Sequence, residues 1–196
     1  GSMVPTKRIT LGEENAGPLV HPLLISEIMY NPIGAVDLDP SDFEYIEIYN
    51  PTPETIDLAG WKFTGGIDYV FPIGASISPK QAIVVVPFDP AESDKLAAFR
   101  SHYGIGTEVT LVGDYSGSLN NGGETVRLKR PDEPPAEEPT FVPMILVDEV
   151  KYDDAAPWPL EADGLGPALH RQVPRIWGDD PPNWSALFAT PGTCDL

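Results

Sequence analysis

Cysteine is almost missing from this chain. Cys194 is the single one in 196 residues, so no disulfide can close within it. Basic residues are scarce too. Twelve Lys and Arg stand against thirty Asp and Glu, a formal net charge of −18. Binding a phosphate backbone needs cations to displace its counterions, and this balance argues against nucleic acid as a partner. The same surface would repel anionic membranes and could hold cations. His21, His102 and His170 are far apart and show no metal-ligand spacing, which with one cysteine argues against zinc. No run of about 18 apolar residues occurs, so no membrane span is readable.

Turn formers are abundant by contrast. Twenty-three prolines and eighteen glycines accompany a hydrophobic content of 41%, which suits one globular domain of short strands and frequent turns. Gly1-Ser2 reads as the scar of a removed tag and is left out of the fold reasoning. Residues 3–22 show no sustained period and predict an N-terminal arm.

The central stretch is F-E-Y-I-E-I-Y-N-P-T-P-E-T-I-D-L-A-G-W-K-F-T-G-G-I-D-Y-V-F, residues 43–71. Ile46 and Ile48 alternate with Tyr45, Glu47 and Tyr49, the period of a half-buried strand. Pro51 and Pro53 force a turn, since proline has no N–H for a ladder. Strands follow at 55–58, 61–64 and 68–71, with Trp61 and Phe63 on one face as core residues. Elsewhere, alternation or β-branched runs predict strands at 23–30, 82–86, 109–112, 124–130 and 145–152.

One helix is predicted, from about 90 to 103. Asp89-Pro90-Ala91-Glu92 has the pattern of a helix start, Leu96, Phe99 and Tyr103 recur at helical spacing, and Gly104 is placed to end it. Residues 131–143 hold five prolines and four acids and predict a solvated insertion in a hairpin. From Ala155 onward regular periodicity disappears while Trp158, Leu169, Trp184 and Phe188 remain. An irregular C-terminal wrap over the sandwich is expected there.

The ordered motifs E-Y-I-E-I-Y-N-P, I-D-L-A-G-W-K-F and Y-V-F-P-I-G-A-S-I-S-P-K-Q-A-I-V-V-V resemble the lamin tail domain in its bacterial, secreted form. L-L-I-S-E-I-M-Y-N-P at 23–32, S-L-N-N-G-G-E-T-V-R-L at 118–128 and V-D-E-V-K-Y-D-D at 147–154 extend the likeness. A-P-W-P, A-D-G-L-G-P-A-L and N-W in the tail resemble the secreted branch. The resemblance implies an all-β, immunoglobulin-like β-sandwich over 23–154 and no catalytic residues. It departs from the family pattern at the insertion 131–143, where the usual turn is shorter.

Candidate chemistry is sparse. Asp37, Asp39, Asp42 and Glu44 supply oxygen ligands at a density that suits Ca²⁺. The loop is not an EF-hand, because counting from Asp37 puts Asp42 at position six and Ile48 at position twelve. A plain solvated acidic loop explains the same residues. Asp153-Asp154 and Asp179-Asp180 are secondary candidates. The G-D-Y-S-G at 113–117 puts tyrosine where a nucleophile-elbow serine belongs. Asn183-Trp184-Ser185 matches a glycosylation acceptor, read as chance.

The expected function is a non-catalytic interaction or adhesion module of a larger secreted or cell-envelope bacterial protein, with a protein or glycan partner. The first alternative is a Ca²⁺-dependent carbohydrate-binding module, with Tyr45, Tyr49 and Trp158 as an aromatic platform. The second is a hydrolase or its accessory domain, using a carboxylate near Asp42 or Asp154. Ca²⁺ is the one cofactor the residues admit.

Overall fold

The computed structural model describes residues 6–7, 19–34, 38–194 and 196. Most of the predicted arm lies outside these residues. Among the described residues, thirteen strands run in chain order as β1 Leu24–Met29, β2 Tyr45–Tyr49, β3 Ile56–Asp57, β4 Lys62–Gly65, β5 Ile67–Val70, β6 Ser76–Ile77 and β7 Ala82–Val85. After the helix α1 (Ser93–Tyr103) come β8 Leu111–Val112, β9 Ser116–Gly117, β10 Glu124–Pro131, β11 Met144–Tyr152, β12 Pro167–Arg171 and β13 Trp184–Phe188. A six-stranded sheet, β13-β12-β1-β2-β7-β8, faces a five-stranded sheet, β11-β10-β4-β5-β9, and β3 and β6 make a separate ribbon. The fold is the all-β sandwich expected, with one helix.

The main core lies between the sheets. Ile25, Ile28, Ile46, Ile48, Leu169 and Trp184 from one side meet Trp61, Phe63, Val126, Leu128, Val150 and Tyr152 from the other. Trp61 is 8% exposed and serves as core. A second apolar layer covers the opposite face of the six-stranded sheet, where Met29, Tyr45, Val84 and Phe88 pack with Phe99 of α1. Tyr45 lies edge-on to Phe99 and Tyr103, at ring separations of 6.0 and 5.2 Å, geometries that favour aromatic pairs.

This second layer changes the reading of β2. The alternation predicts a half-buried strand, yet all five of its residues are buried. Its polar face is roofed by α1 and by the chain after β13. In β1, a register shift between Ile25 and Glu27 places Ile25 opposite Ile48 and Glu27 opposite Glu47. The extra residue, a β-bulge, lets Ile25 and Ile28 face the same core and resolves an orientation that simple alternation left open.

The helix starts three residues later than its signal. Asp89 and Glu92 form the reciprocal pattern of a capping box, with Ala91 N–H donating to Asp89 Oδ1 at 2.9 Å and Asp89 N–H to Glu92 Oε1 at 3.3 Å. They close a separate turn, and the helix then begins at Ser93. Gly104 ends it with φ of 65°, a conformation glycine adopts without penalty.

The C-terminal stretch is a wrap only in part. β12 pairs with β1, and β13 pairs with β12, so two strands of the tail extend the six-stranded sheet. The 131–143 insertion is the exposed connection of the β10–β11 hairpin, closed by Asp132 N–H to Pro143 O at 2.9 Å.

Candidate functional site

The acidic loop disperses its carboxylates. Asp37 lies outside the described residues. Asp39 caps the 3-10 turn Pro40–Phe43, accepting from the Ser41 N–H at 3.0 Å and the Ser41 hydroxyl at 2.9 Å, and these bonds hold its carboxyl below its usual range. Asp42 pairs with Lys95 of α1 at 2.9 Å. Glu44 turns inward, 6% exposed, and accepts from Tyr115 OH at 3.2 Å and Leu119 N–H at 3.0 Å. Burial pushes its carboxyl upward. Three carboxylates thus serve three different neighbours. Among the described residues, no three His, Cys, Asp or Glu side chains come together as metal ligands.

The proposed aromatic platform is interior. Tyr45, Tyr49 and Trp158 are 0%, 4% and 5% exposed, and a sugar could not stack on them. Trp158 packs 6.0 Å from Trp184, so the A-P-W-P motif is a core anchor. Asn183 is also buried, its amide bonding both backbone groups of Val173, which fits the chance reading of the glycosylation pattern.

What the sandwich does expose is an apolar end. The chain after β1 (31–34), the turn 160–166 and the end of β13 meet there. Asn31 Nδ2 donates to Asp163 Oδ1 at 2.6 Å, tying the first two together. Gly166 lies against Ile33, and Pro167 sits opposite Phe188 in the ladder. Ile33, Leu160, Leu165 and Phe188 are 54%, 53%, 68% and 89% exposed. Single exposed apolar residues are ordinary, and here four come from three segments at one end of the fold.

A buried polar site lies on the outer face of the six-stranded sheet. The bulge in β1 sets Glu27 directly opposite Glu47, and both are 1% exposed. They line a cavity of about 360 Å³ with Ser26, His170, Leu187 and Cys194. Tyr45 OH and the Thr190 N–H donate to Glu27, the latter at 3.0 Å. Ser26 Oγ and the Gly192 N–H donate to Glu47, at 2.6 and 2.7 Å. His170 Nε2 lies 3.2 Å from Glu27 Oε1, within ion-pair range but without hydrogen-bond alignment. Burial first, and the Glu27 charge second, push the Glu47 carboxyl up to about 8. Burial likewise pushes the Cys194 thiol up to about 12, which makes it a poor nucleophile. The site docks the chain after β13 onto the sheet, through Thr190 and Gly192.

A second buried charge pair joins the sheets. Arg171 of β12 meets Asp148 of β11, and Asp148 also accepts the Ile25 N–H at 2.9 Å. Neither pair was legible as a site. Glu47 occupies a polar position that alternation assigns to solvent, alternation leaves Glu27 unassigned, and Arg171 shares the face of Leu169 in a strand with no local signal, so only the strand pairing could have flagged them.

The comparison with protein families bears on all of this. The family model of the lamin tail domain matches residues 19–153, well over half of the chain. The chain belongs to the lamin tail domain family. This is a family of immunoglobulin-like domains, in keeping with the sandwich. No curated protein and no solved structure matches the chain. The match ends before β12, whereas the folded sandwich continues through β13, because β12 pairs with the second edge of β1.

Proposed function

We propose that this lamin tail domain is a non-catalytic interaction module of a larger secreted or cell-envelope protein, and that it binds a protein partner. The observation that carries the reading is the apolar end formed by Ile33, Leu160, Leu165 and Phe188. These side chains come from separate segments that the Asn31–Asp163 bond holds in register, so the surface is built before any partner arrives. Preformed surfaces bind with less loss of conformational entropy. The secreted setting rests on the resemblance of the tail motifs to the secreted branch. Any catalysis in a parent chain would then belong to its other domains.

The test compares two immobilised proteins in an extract of the native source. One is the wild type, and the other carries Ile33→Asp and Leu165→Asp with an unchanged melting temperature. A protein held at least about tenfold more by the wild type identifies the partner and the surface together, since losing central apolar contacts costs roughly 1–3 kcal/mol. Equal retention of every protein would sink the assignment of this surface.

A further inference from the structure

Sheet edges invite additional strands, and proteins guard them with charges, prolines or covering chain. The outer edge of β11 is covered in this way. Lys151 N–H donates to Asp179 Oδ1 at 3.1 Å, and Gly178 lies against the Glu149 carbonyl. Among the described residues the edge at β13 has no such guard. Among the described residues its only ladder is with β12. Every second residue of an antiparallel edge strand turns its N–H and C=O away from its neighbour, so these groups of β13 point outward. The run W-S-A-L-F-A-T-P-G-T-C, residues 184–194, contains no charge in a chain that is 21% charged. Leu187 and Phe188 on the strand are 48% and 89% exposed.

We propose that the free edge of β13 receives an extended, cationic segment of the partner protein as an added strand. This deepens the interaction reading and rests on it. The charge of the occupant follows from its surroundings. The chain carries −18, which disfavours a second copy or any acidic segment. Asp179 and Asp180 lead into the strand, and the 3-10 turn Leu160–Ala162, with exposed Glu161, packs beside it. The two faces of the added strand would meet different chemistry. One face meets Ala186 and the exposed Phe188 and suits apolar side chains. The other meets Leu187, at the rim of the cavity that Glu27 also lines, and in a chain of such acidic balance it suits Lys or Arg. The segment therefore alternates cationic and apolar residues. Backbone bonds supply affinity in such strand addition, and the alternate side chains supply selectivity.

The experiment is amide hydrogen exchange on the whole chain with two synthetic ten-residue peptides. One alternates lysine with valine, and the other alternates glutamate with valine. The lysine peptide should slow exchange at residues 184–188, with binding at least about tenfold tighter than the glutamate peptide. Leu187→Lys should abolish the slowing, and Ser185→Lys makes the same test if the first variant lowers the melting temperature. Leu165→Asp should leave it intact. Slowing confined to other strands, or equal slowing by both peptides, would overturn the proposal. So would capture of a native partner through the apolar end with no change of exchange at 184–188, which leaves the interaction module standing and removes only the added strand.

Discussion

Replacing Glu47 by glutamine should flatten the pH dependence of stability, and the size of the effect can be worked from the pair it belongs to. Glu47 is 1% exposed opposite Glu27, and its carboxyl is raised from 4.5 to about 8. A folded-state value above the unfolded one means that folded Glu47 keeps a proton that the unfolded chain releases. The associated stability is full below pH 4.5 and is lost as pH climbs through about 8. The slope is about 1.4 kcal/mol per pH unit, or roughly 3–6 °C per unit for a domain of this size. A glutamine side chain in this place cannot ionise. Its carbonyl can still accept the Gly192 N–H, and its amide can donate to Ser26 Oγ. The variant should match the wild type near pH 5 and exceed it by about 3–4 kcal/mol near pH 8. Thermal unfolding of both proteins at half-unit steps from pH 5 to 8.5 isolates the effect, because every other group is common to the two. Glu27→Gln should move the wild-type decline to lower pH, by less than the full shift, since burial is the larger cause. Superimposable profiles for the wild type and Glu47→Gln would refute the reasoning.

Asp148→Asn should cost about 3–5 kcal/mol, because it leaves the Arg171 charge buried without its partner. The double change Asp148→Leu with Arg171→Met should recover most of this in urea unfolding, and a loss equal to the sum of the single changes would contradict the ion-pair account. Adding millimolar Ca²⁺ after EDTA should leave the melting temperature unchanged, given that Asp39, Asp42 and Glu44 bond to separate neighbours. A rise with Ca²⁺ but not Mg²⁺ would instead show that the loop gathers them around an ion.

The acidic loop and the carboxylate pair show why some of the site was legible and some was not. Density of Asp and Glu is visible in a sequence, as it is at 37–44. Whether carboxylates converge depends on where each side chain turns, and Glu44 turns into the core towards Tyr115 while Asp42 turns out towards Lys95. Glu27 and Glu47 carry no local signal. Each is one polar residue in an alternating strand, in L-I-S-E-I-M and Y-I-E-I-Y. They become a pair because a bulge shifts the register by one residue and because α1 and the tail cover that face. β12 and β13 lack a local signal for a related reason. P-A-L-H-R places His and Arg within a strand, and Arg171 is tolerated inside only because Asp148 waits on the facing sheet.

Short-range physics was enough for much else. Period-two alternation placed β1, β2, β4, β10 and β11, the helical spacing of Leu96, Phe99 and Tyr103 placed α1, and Trp61 was already a core residue. These features are local, since the backbone period and the turn residues act within a few positions of each other. Burial on both faces of β2, the pairing of Glu27 with Glu47, and the place of β13 at the end of its sheet belong to the tertiary structure. Each depends on chain segments far apart in sequence meeting in space, and no local pattern encodes that.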